Sequence, residues 1–390
     1  MKCILFTLTS FRHGGTNKSL ENLLSLIDTD KYRVEVFAME HYGPYKEMLS
    51  NCTILPEDKW LSALIAHWAD LKGFAKIRSF VVKVLRKVCL KINFNIKDII
   101  YKKALDRLVK NKNYDAVIAY SEGAPTAFIS LLYHKNKITW VHCDYSSYMQ
   151  LNKHPDEKKI YKSYKSIVCV SEYTKKVFYE IMPEMQSKVF AIHNLVNSEE
   201  IIVKSLKKIE DNRFVRCDFN IISVGRIDVV KRFDRIPEMA VALKKKGIKF
   251  IWYLIGSEGF GVAQARFEYN IKKNKIENAF IWLGVKDNPY SYIANSDLLV
   301  ITSESEACPY VLNEAKILGV PTITTNYGSA IEFIDNEING IITPIEAMVD
   351  EIEKYILNKK LYNVIKKHLQ EYKYENKEIM DRVYLLIDSL

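Results

Sequence analysis

The 390-residue sequence predicts an α/β protein of two Rossmann-like, doubly wound domains, each with a parallel sheet. Three observations predict it. Short continuous apolar runs alternate with apolar residues at helical spacing from residue 3 to about residue 192. The alternation lapses over 195–218, a stretch rich in Lys, Glu and Asn that is the candidate linker. It restarts at 221 and continues through the second half. The length suits two ordinary domains. A composition that is 48% hydrophobic and 27% charged suits folded cores.

The elements follow in order. The run 3–8 is apolar but for Thr7, as in a strand buried on both faces. Gly14, Gly15 and Thr16 make a turn, after which Leu20, Leu23, Leu24 and Ile27 recur at helical spacing. Further strands are expected at 33–38, 116–120, 138–142, 167–170 and 189–192, and Ser171 reads as a helix N-cap. The second half reads as strand 221–224, helix 233–245, strand 250–255, a helix near 263–273 and strand 280–283. Strand 298–302, helix 309–318 and strand 322–324 follow, with Gly319 where a helix C′ glycine belongs. The final ~40 residues read as helical, with Tyr355, Ile356, Tyr362, Ile365, Leu369, Ile379, Val383 and Leu386 as apolar positions. The expected division is 1–198, 199–372 and a final helix within 373–390.

The net charge of +10 favours an anionic partner: a phosphorylated ligand, a nucleic acid or an acidic membrane. Seven scattered cysteines without a C-x-x-C pair argue against a disulfide framework or zinc site and fit a reducing cytoplasm. The apolar start, ended by Arg12 and His13, reads as a strand and not a signal peptide. No apolar stretch approaches the length of a membrane span.

Two motifs carry chemistry. In 302–315, Glu306 and Glu314 flank Pro309, which favours a helix start. Both acids can then point into one crevice beside free backbone N–H groups. Carboxylates accept paired hydrogen bonds from sugar diols, and a helix N-terminus attracts phosphate. The plainer reading is that Glu306 complements the helix dipole and Glu314 is solvated. In 223–233 a strand ends at Gly225, followed by Arg226 and, five residues on, Lys231. A small residue, a forked guanidinium and a point-charge ammonium are what phosphate recognition needs. The plainer reading is a basic surface turn. Gly256, Gly259 and Gly261 around Phe260 are spaced G-x-x-G-x-G, which reads as a strand-to-helix turn and not a dinucleotide fingerprint.

In joint order these pieces resemble glycosyltransferase family 4, the retaining group with the GT-B fold. The pieces are Gly14-Gly15, Trp140-Val141-His142, Val170-Ser171-Glu172, His193-Asn194, Val224-Gly225-Arg226, Lys231, Leu283-Gly284 and Asn295-Ser296-Asp297. Ser303, Glu306, Pro309 and Glu314-Ala315 follow, then Gly319-Val320-Pro321 and Asn339-Gly340. The resemblance implies two domains facing across a donor cleft, with a C-terminal helix crossing back to the first. It assigns the donor diphosphate to Arg226 and Lys231, the ribose hydroxyls to Glu314 and the transferred sugar to Glu306. Gly15 would present its N–H to the phosphates. Gly284 and Val285 would border the base. Ala307, Cys308, Pro309 and Tyr310 would line the donor site, and His142 would lie near the sugar on the acceptor side. Two departures stand out: Ala307 where the family most often has Gly, and Arg232 where Gly is frequent after the lysine. Glu332 matches a recurrent family acid and is assigned a structural role.

The implied reaction moves a hexose or N-acetylhexosamine from a nucleotide diphosphate sugar, UDP by family frequency, to a glycan or lipid-linked acceptor in surface polysaccharide synthesis. Arg226, Lys231 and the helix end can stabilise the leaving phosphate, so no metal or other cofactor is expected. Same-face attack, with the departing phosphate oxygen taking the acceptor proton, fits retention without a placed carboxylate nucleophile. His142 is the alternative base. Other readings remain: an inverting transferase or nucleotide-sugar epimerase on the same scaffold, or a donor-binding protein without turnover, for which Ala307 argues. Finally, 72–103 holds ten basic residues against one acid, Asp98, interleaved with Ile77, Phe80, Val81, Val84, Leu85, Val88 and Leu90 and preceded by Trp60 and Trp68. This reads equally as a basic amphipathic helix on an anionic membrane, which would make the protein cytoplasmic and peripheral, or as a helix packed on the sheet with a solvated lysine face. No nucleic-acid recognition module accompanies the charge.

Overall fold

In the computed structural model, which describes residues 1–92, 94–152, 156–259, 261–276 and 278–389, the strands form two separate parallel sheets. Phe260 and Leu390, named above, lie outside the described residues, as does the side chain of Leu90. The first sheet holds β1 (Lys2–Ser10), β2 (Tyr32–Glu40), β3 (Thr53–Ile54), β4 (Ala116–Ala119), β5 (Lys137–Val141), β6 (Ser166–Cys169) and β7 (Val189–Ala191). Its order is β3-β2-β1-β4-β5-β6-β7. The second holds β8 (Asn220–Val224), β9 (Ile251–Ile255), β10 (Phe280–Gly284), β11 (Leu298–Ile301), β12 (Thr322–Thr325) and β13 (Ile341–Thr343), ordered β10-β9-β8-β11-β12-β13. In both, the first strand lies inside the sheet and the order reverses beside it, as doubly wound sheets require. β1 pairs Ile4 with Val34 on one side and Ala116 on the other; β8 pairs Ile221 with Trp252 and Leu298.

The chain divides into two units: 1–195 with 376–390, and 196–375. Each has its own core. Leu5, Val117, Phe128, Ile167 and Phe178 are buried in the first, and Trp252, Leu254, Phe267, Leu298 and Ile352 in the second. The helices Met348–Leu357 and Lys359–Gln370 bury Tyr355, Ile365 and Leu369 in the second unit.

The helix Asn376–Asp388 belongs to the first unit. Its Tyr384 ring stacks on Tyr32 at 5.0 Å, and the Tyr384 oxygen accepts the Asp28 N–H at 2.8 Å. Lys2 pairs with Asp388 at 2.9 Å, and Arg382 donates to the Ala191 carbonyl at 2.5 Å. The helix therefore ties β1, β2 and the end of β7 together.

Four expectations are corrected. The 195–218 stretch is a folded part of the second unit and no bare linker. It forms the helix Ser198–Ser205, capped by Asn197 accepting the Glu200 N–H, and Ile201 buries with Val196 and Tyr290. Caps and ion pairs hold this stretch, so apolar periodicity does not reveal it. The helix expected at 233–245 opens with a 3-10 turn, Phe233–Arg235, and becomes α-helical at Ile236–Lys245, with Pro237 tolerated in the first turn. Pro309 is the extended N-cap of Tyr310–Ile317 and stands just outside that helix. The basic segment 72–103 forms two helices, Gly73–Lys91 and Ile96–Val109. In the first, the apolar face points outward, which removes the reading of a helix packed on the sheet through that face.

Candidate functional site

The motifs of the second half meet at the carboxyl edge of the second sheet. β8 delivers Gly225 and Arg226, β9 delivers Gly256, β10 ends at Gly284, and β11 leads into 302–306. The loops are stitched together by the backbone. Gly225 N–H donates to the Ile255 carbonyl at 2.9 Å and Ile227 N–H to that of Ser257 at 3.1 Å. A Cβ on Gly256 would lie 1.7 Å from the Gly225 oxygen, and one on Gly259 would lie 1.9 Å from the Ile227 oxygen. The glycine turn after β9 is thus the floor on which the Gly225–Arg226 loop rests.

Lys231 and Glu306 are brought into direct contact, with Nζ 2.5 Å from Oε1. The Ser303 hydroxyl donates to the same oxygen at 2.6 Å. Two further bonds fix the loops that carry them: Thr302 Oγ1 donates to the Lys231 carbonyl at 2.6 Å, and Glu304 N–H to that of Val230 at 2.8 Å. Ser329 holds the Glu306 carbonyl at 2.8 Å. Both charged side chains keep some solvent access, at 29% and 12%.

Arg226 pairs with Asp228 at 2.8 Å and remains 58% exposed, so its guanidinium is available to a ligand. Burial alone would raise the Asp228 carboxyl. The Val230 N–H, Arg226 and Lys231 outweigh it and hold the acid below its ordinary value. Asp228 is therefore the acid paired with Arg226, with the charge of Lys231 also favouring its ionised form. In the sequence it stands two residues after Arg226 with no pattern that marks its role. Arg232, the departure from the family pattern, turns away to Glu304 and Asp234 and adopts a left-handed backbone at φ 53°.

Glu314 sits in the second turn of the Tyr310–Ile317 helix, buried, and accepts from the Tyr290 hydroxyl at 3.3 Å. Nothing in the spacing of the sequence announces Tyr290. Ala307 and Cys308 are buried in the loop before that helix, and Tyr310 is half-buried at its start. Gly284 has φ +76°, and its carbonyl accepts the Gly256 N–H at 3.0 Å; Val285 beyond it is exposed. Glu332 lies within the short helix Ala330–Phe333.

At the carboxyl edge of the first sheet, Gly15 begins the helix Gly15–Leu26, exposed, with open space where a Cβ would stand. His142 follows β5. Its N–H donates to Glu122 at 2.9 Å and its ring lies 5.0 Å from that of Tyr120. Its Nε2 is buried without a hydrogen-bond partner, and burial pushes the imidazole down to about 3. Arg12, which the motifs did not single out, bridges Glu40 at 3.2 Å and Asp70 at 2.5 Å and lies over the Tyr42 ring. Beside them is a cavity of about 170 Å³ lined by Glu40, His41, Tyr42, Asp70 and Arg78. A larger one of about 520 Å³, mostly apolar, is lined by Phe37, Leu55, Trp60, Arg78, Ala104 and Leu108.

Comparison with known proteins agrees with this architecture. Residues 13–200 match the model for Glycosyltransferase Family 4, and 205–372 match that for Glycosyl transferases group 1. A protein of the cps region of Klebsiella pneumoniae is 26% identical over 41% of this chain and 43% of its own length. The N-acetyl-alpha-D-glucosaminyl L-malate synthase of Bacillus anthracis is 30% identical over 27% of this chain and 28% of its own. The chain thus spans less than half the length of these two relatives. Among solved structures, HepE of Anabaena in complex with UDP-glucose superposes with a TM-score of 0.73 at 16% identity, covering 100% of both chains. A glycosyltransferase of Rickettsia africae gives 0.74 at 18% identity, covering 100% of this chain and 98% of its own. At such identities these likenesses establish the fold. With the two family models together covering nearly its whole length, the chain belongs to the family 4 glycosyltransferases of GT-B fold.

Proposed function

We propose that this protein is a retaining, metal-independent glycosyltransferase that moves a hexose or N-acetylhexosamine from a UDP-linked donor to a glycan acceptor. The observation that carries the reading is the Lys231–Glu306 ion pair, bonded by Ser303 at the sheet's carboxyl edge and flanked by the accessible Arg226. A cation and an acid held together are poised to separate onto the two halves of a sugar diphosphate. Lys231 turns to the diphosphate and Arg226 joins it, while Glu306 is released to the sugar hydroxyls. Glu314 takes the ribose, and Gly284 and Val285 border the base. Charge that builds on the leaving phosphate meets two cations and the N–H groups of Ala307, Cys308 and Tyr310. Each such donor typically lowers the barrier by ~3 kcal/mol when water is excluded. UDP is favoured because solved neighbours of this fold, such as HepE, hold UDP.

The departing phosphate oxygen takes the acceptor proton. His142, neutral and with Nε2 unpartnered, is too weak a base to take that proton. The acceptor is a surface glycan in assembly, carried on a polyprenyl lipid, so the enzyme works on the cytoplasmic side of an anionic membrane. A relative, the amylovoran biosynthesis glycosyltransferase of Erwinia amylovora, supports the polysaccharide setting.

Thermal melting with a panel of nucleotide sugars tests the donor. One of them should raise the melting temperature by mass action, and Arg226→Ala or Lys231→Ala should nearly abolish the shift. Transfer should survive EDTA and give product with the donor's anomeric configuration. If no sugar nucleotide stabilises the protein, or if both variants respond like the parent, the donor-site assignment fails. Stabilisation without nucleotide release on any acceptor would leave a binding protein.

A further inference from the structure

The helix Gly73–Lys91 has its wrong side out. Phe74, Ile77, Val81, Val84, Leu85 and Val88 repeat at steps of three and four and so share one face. All six are exposed, from 41% at Val84 to 87% at Phe74. The opposite side is the buried one, carrying Ser79 and Val82. At ~1.5 Å per residue the apolar stripe is roughly 21 Å long. Single exposed apolar residues are ordinary, but a continuous row of this length marks a binding surface.

Charge says what covers it. The helix contains Lys76, Arg78, Lys83, Arg86, Lys87 and Lys91 and no acid. With Lys72, Lys97, Lys102 and Lys103 beyond its ends, and Asp98 the sole acid of 72–103, this segment carries nearly all of the chain's net +10. A second copy of the chain would set this charge against itself. Protein interfaces are depleted in lysine, whereas an in-plane amphipathic helix on anionic lipid places lysines along the flanks of its apolar face. Trp60 and Trp68, both about half exposed, precede the helix, and Trp68 packs edge-on against Phe80 with Lys76 over its ring. Aromatic rings of this kind favour the headgroup level. No described helix is long and apolar enough to cross a membrane, so the mode is lying on the surface.

We propose that Gly73–Lys91 is an in-plane membrane anchor that buries Phe74, Ile77, Val81, Val84, Leu85 and Val88 in the acyl boundary of an anionic bilayer. The exposed Lys87 and Lys91 reach back to the lipid phosphates, whereas Lys83 is held by the Ala66 carbonyl at 2.7 Å. The anchor rests on the lipid-carried acceptor proposed above for its purpose and on the helix alone for its geometry. For catalysis it confines the protein to the surface where such an acceptor is held, turning a search in volume into a search in a plane.

The test is flotation of the full chain with vesicles of phosphatidylcholine, with and without phosphatidylglycerol. Binding is expected to the anionic vesicles and to fall at least about tenfold without the anionic lipid. Val81→Glu with Leu85→Glu should remove it. Lys87→Gln with Lys91→Gln should weaken it by roughly thirtyfold. All four positions are exposed, so melting temperatures should match the parent, and this is measured alongside. Equal binding to neutral vesicles, or binding that survives the two glutamates, overturns the anchor. So does self-association that the glutamates abolish in a protein that ignores vesicles, because the face then pairs with a second copy. Donor-induced melting shifts on the same preparations keep the two proposals apart: vesicle binding without a donor shift condemns the transferase reading only.

Discussion

Lys231 and Glu306 lie 75 positions apart and share one hydrogen-bonding oxygen, with Ser303 as the third partner. Removing the lysine leaves Glu306 with the Ser303 hydroxyl as its donor and, on the proposed donor site, takes an ammonium from the diphosphate. Lys231→Ala is expected to lower kcat by roughly 10²–10³, measured under saturating donor. Glu306→Gln should behave differently. UDP alone should still stabilise the variant, whereas turnover should drop because sugar orientation is lost; equal loss of UDP binding would show that the acid serves the nucleotide. At His142 the expected effect is on stability. Its folded value near 3 lies below the ordinary 6.5, so the unfolded chain takes up the proton first as pH falls. Stability from this group is complete above about 6.5 and declines as pH falls towards 3. From pH 7 to pH 5 the loss is about 2 kcal/mol, and His142→Gln should flatten that slope in urea titrations. Arg226, Lys231 and Glu306 stand out in the sequence because their types and spacing suit phosphate and sugar chemistry, and the fold brings Lys231 and Glu306 into contact. The sequence hid Asp228 and Tyr290, which act through position in the fold: Asp228 is an ordinary turn acid until two cations surround it, and Tyr290 meets Glu314 only after the chain has returned to the sheet.

At the scale of elements, strands were legible wherever they were buried on both faces, because a continuous apolar run has few other readings. The two-residue β3 and three-residue β13 were not, since at that length pairing with a neighbour defines the strand. The 206–216 stretch was hidden for another reason: ions hold it. Asp211 is lowered mainly by its bond to Arg213, together with Lys286, and Arg213 reaches the carbonyls of Trp282 and Leu283 at the end of β10. The glycine turn after β9 offers a sharp test. Gly256→Ala must push the Gly225 carbonyl aside, so a loss of at least about 2 kcal/mol in chemical denaturation is expected, together with weaker donor binding. If stability fell while donor affinity held, the turn would be a scaffold without influence on Arg226. The C-terminal helix can be probed likewise. Tyr384→Ala loses a stacked ring and the acceptor for Asp28 N–H, and should cost about 2 kcal/mol.

For the molecule as a whole, the two units differ in how the chain builds them. The second is one uninterrupted segment, 196–375, whereas the first is 1–195 completed by 376–390. The 196–375 segment expressed alone should therefore melt cooperatively and keep its response to UDP. The 1–195 segment should melt lower than the same unit in the intact chain, because Lys2, Tyr32 and Ala191 lose their helical partners. Whole-chain charge was legible in the sequence. Its meaning was not, because periodicity gives the faces of a helix but not which one turns outward. The divided first unit also has a consequence for biosynthesis. Asn376–Asp388 emerges from the ribosome only after all of 196–375 has been made. At ~5–20 residues per second, the nascent first unit waits roughly 10–40 s with that edge bare, longer than most domains need to collapse. Chaperone occupancy during translation should accordingly concentrate on the amino-terminal half and end abruptly when the closing segment arrives.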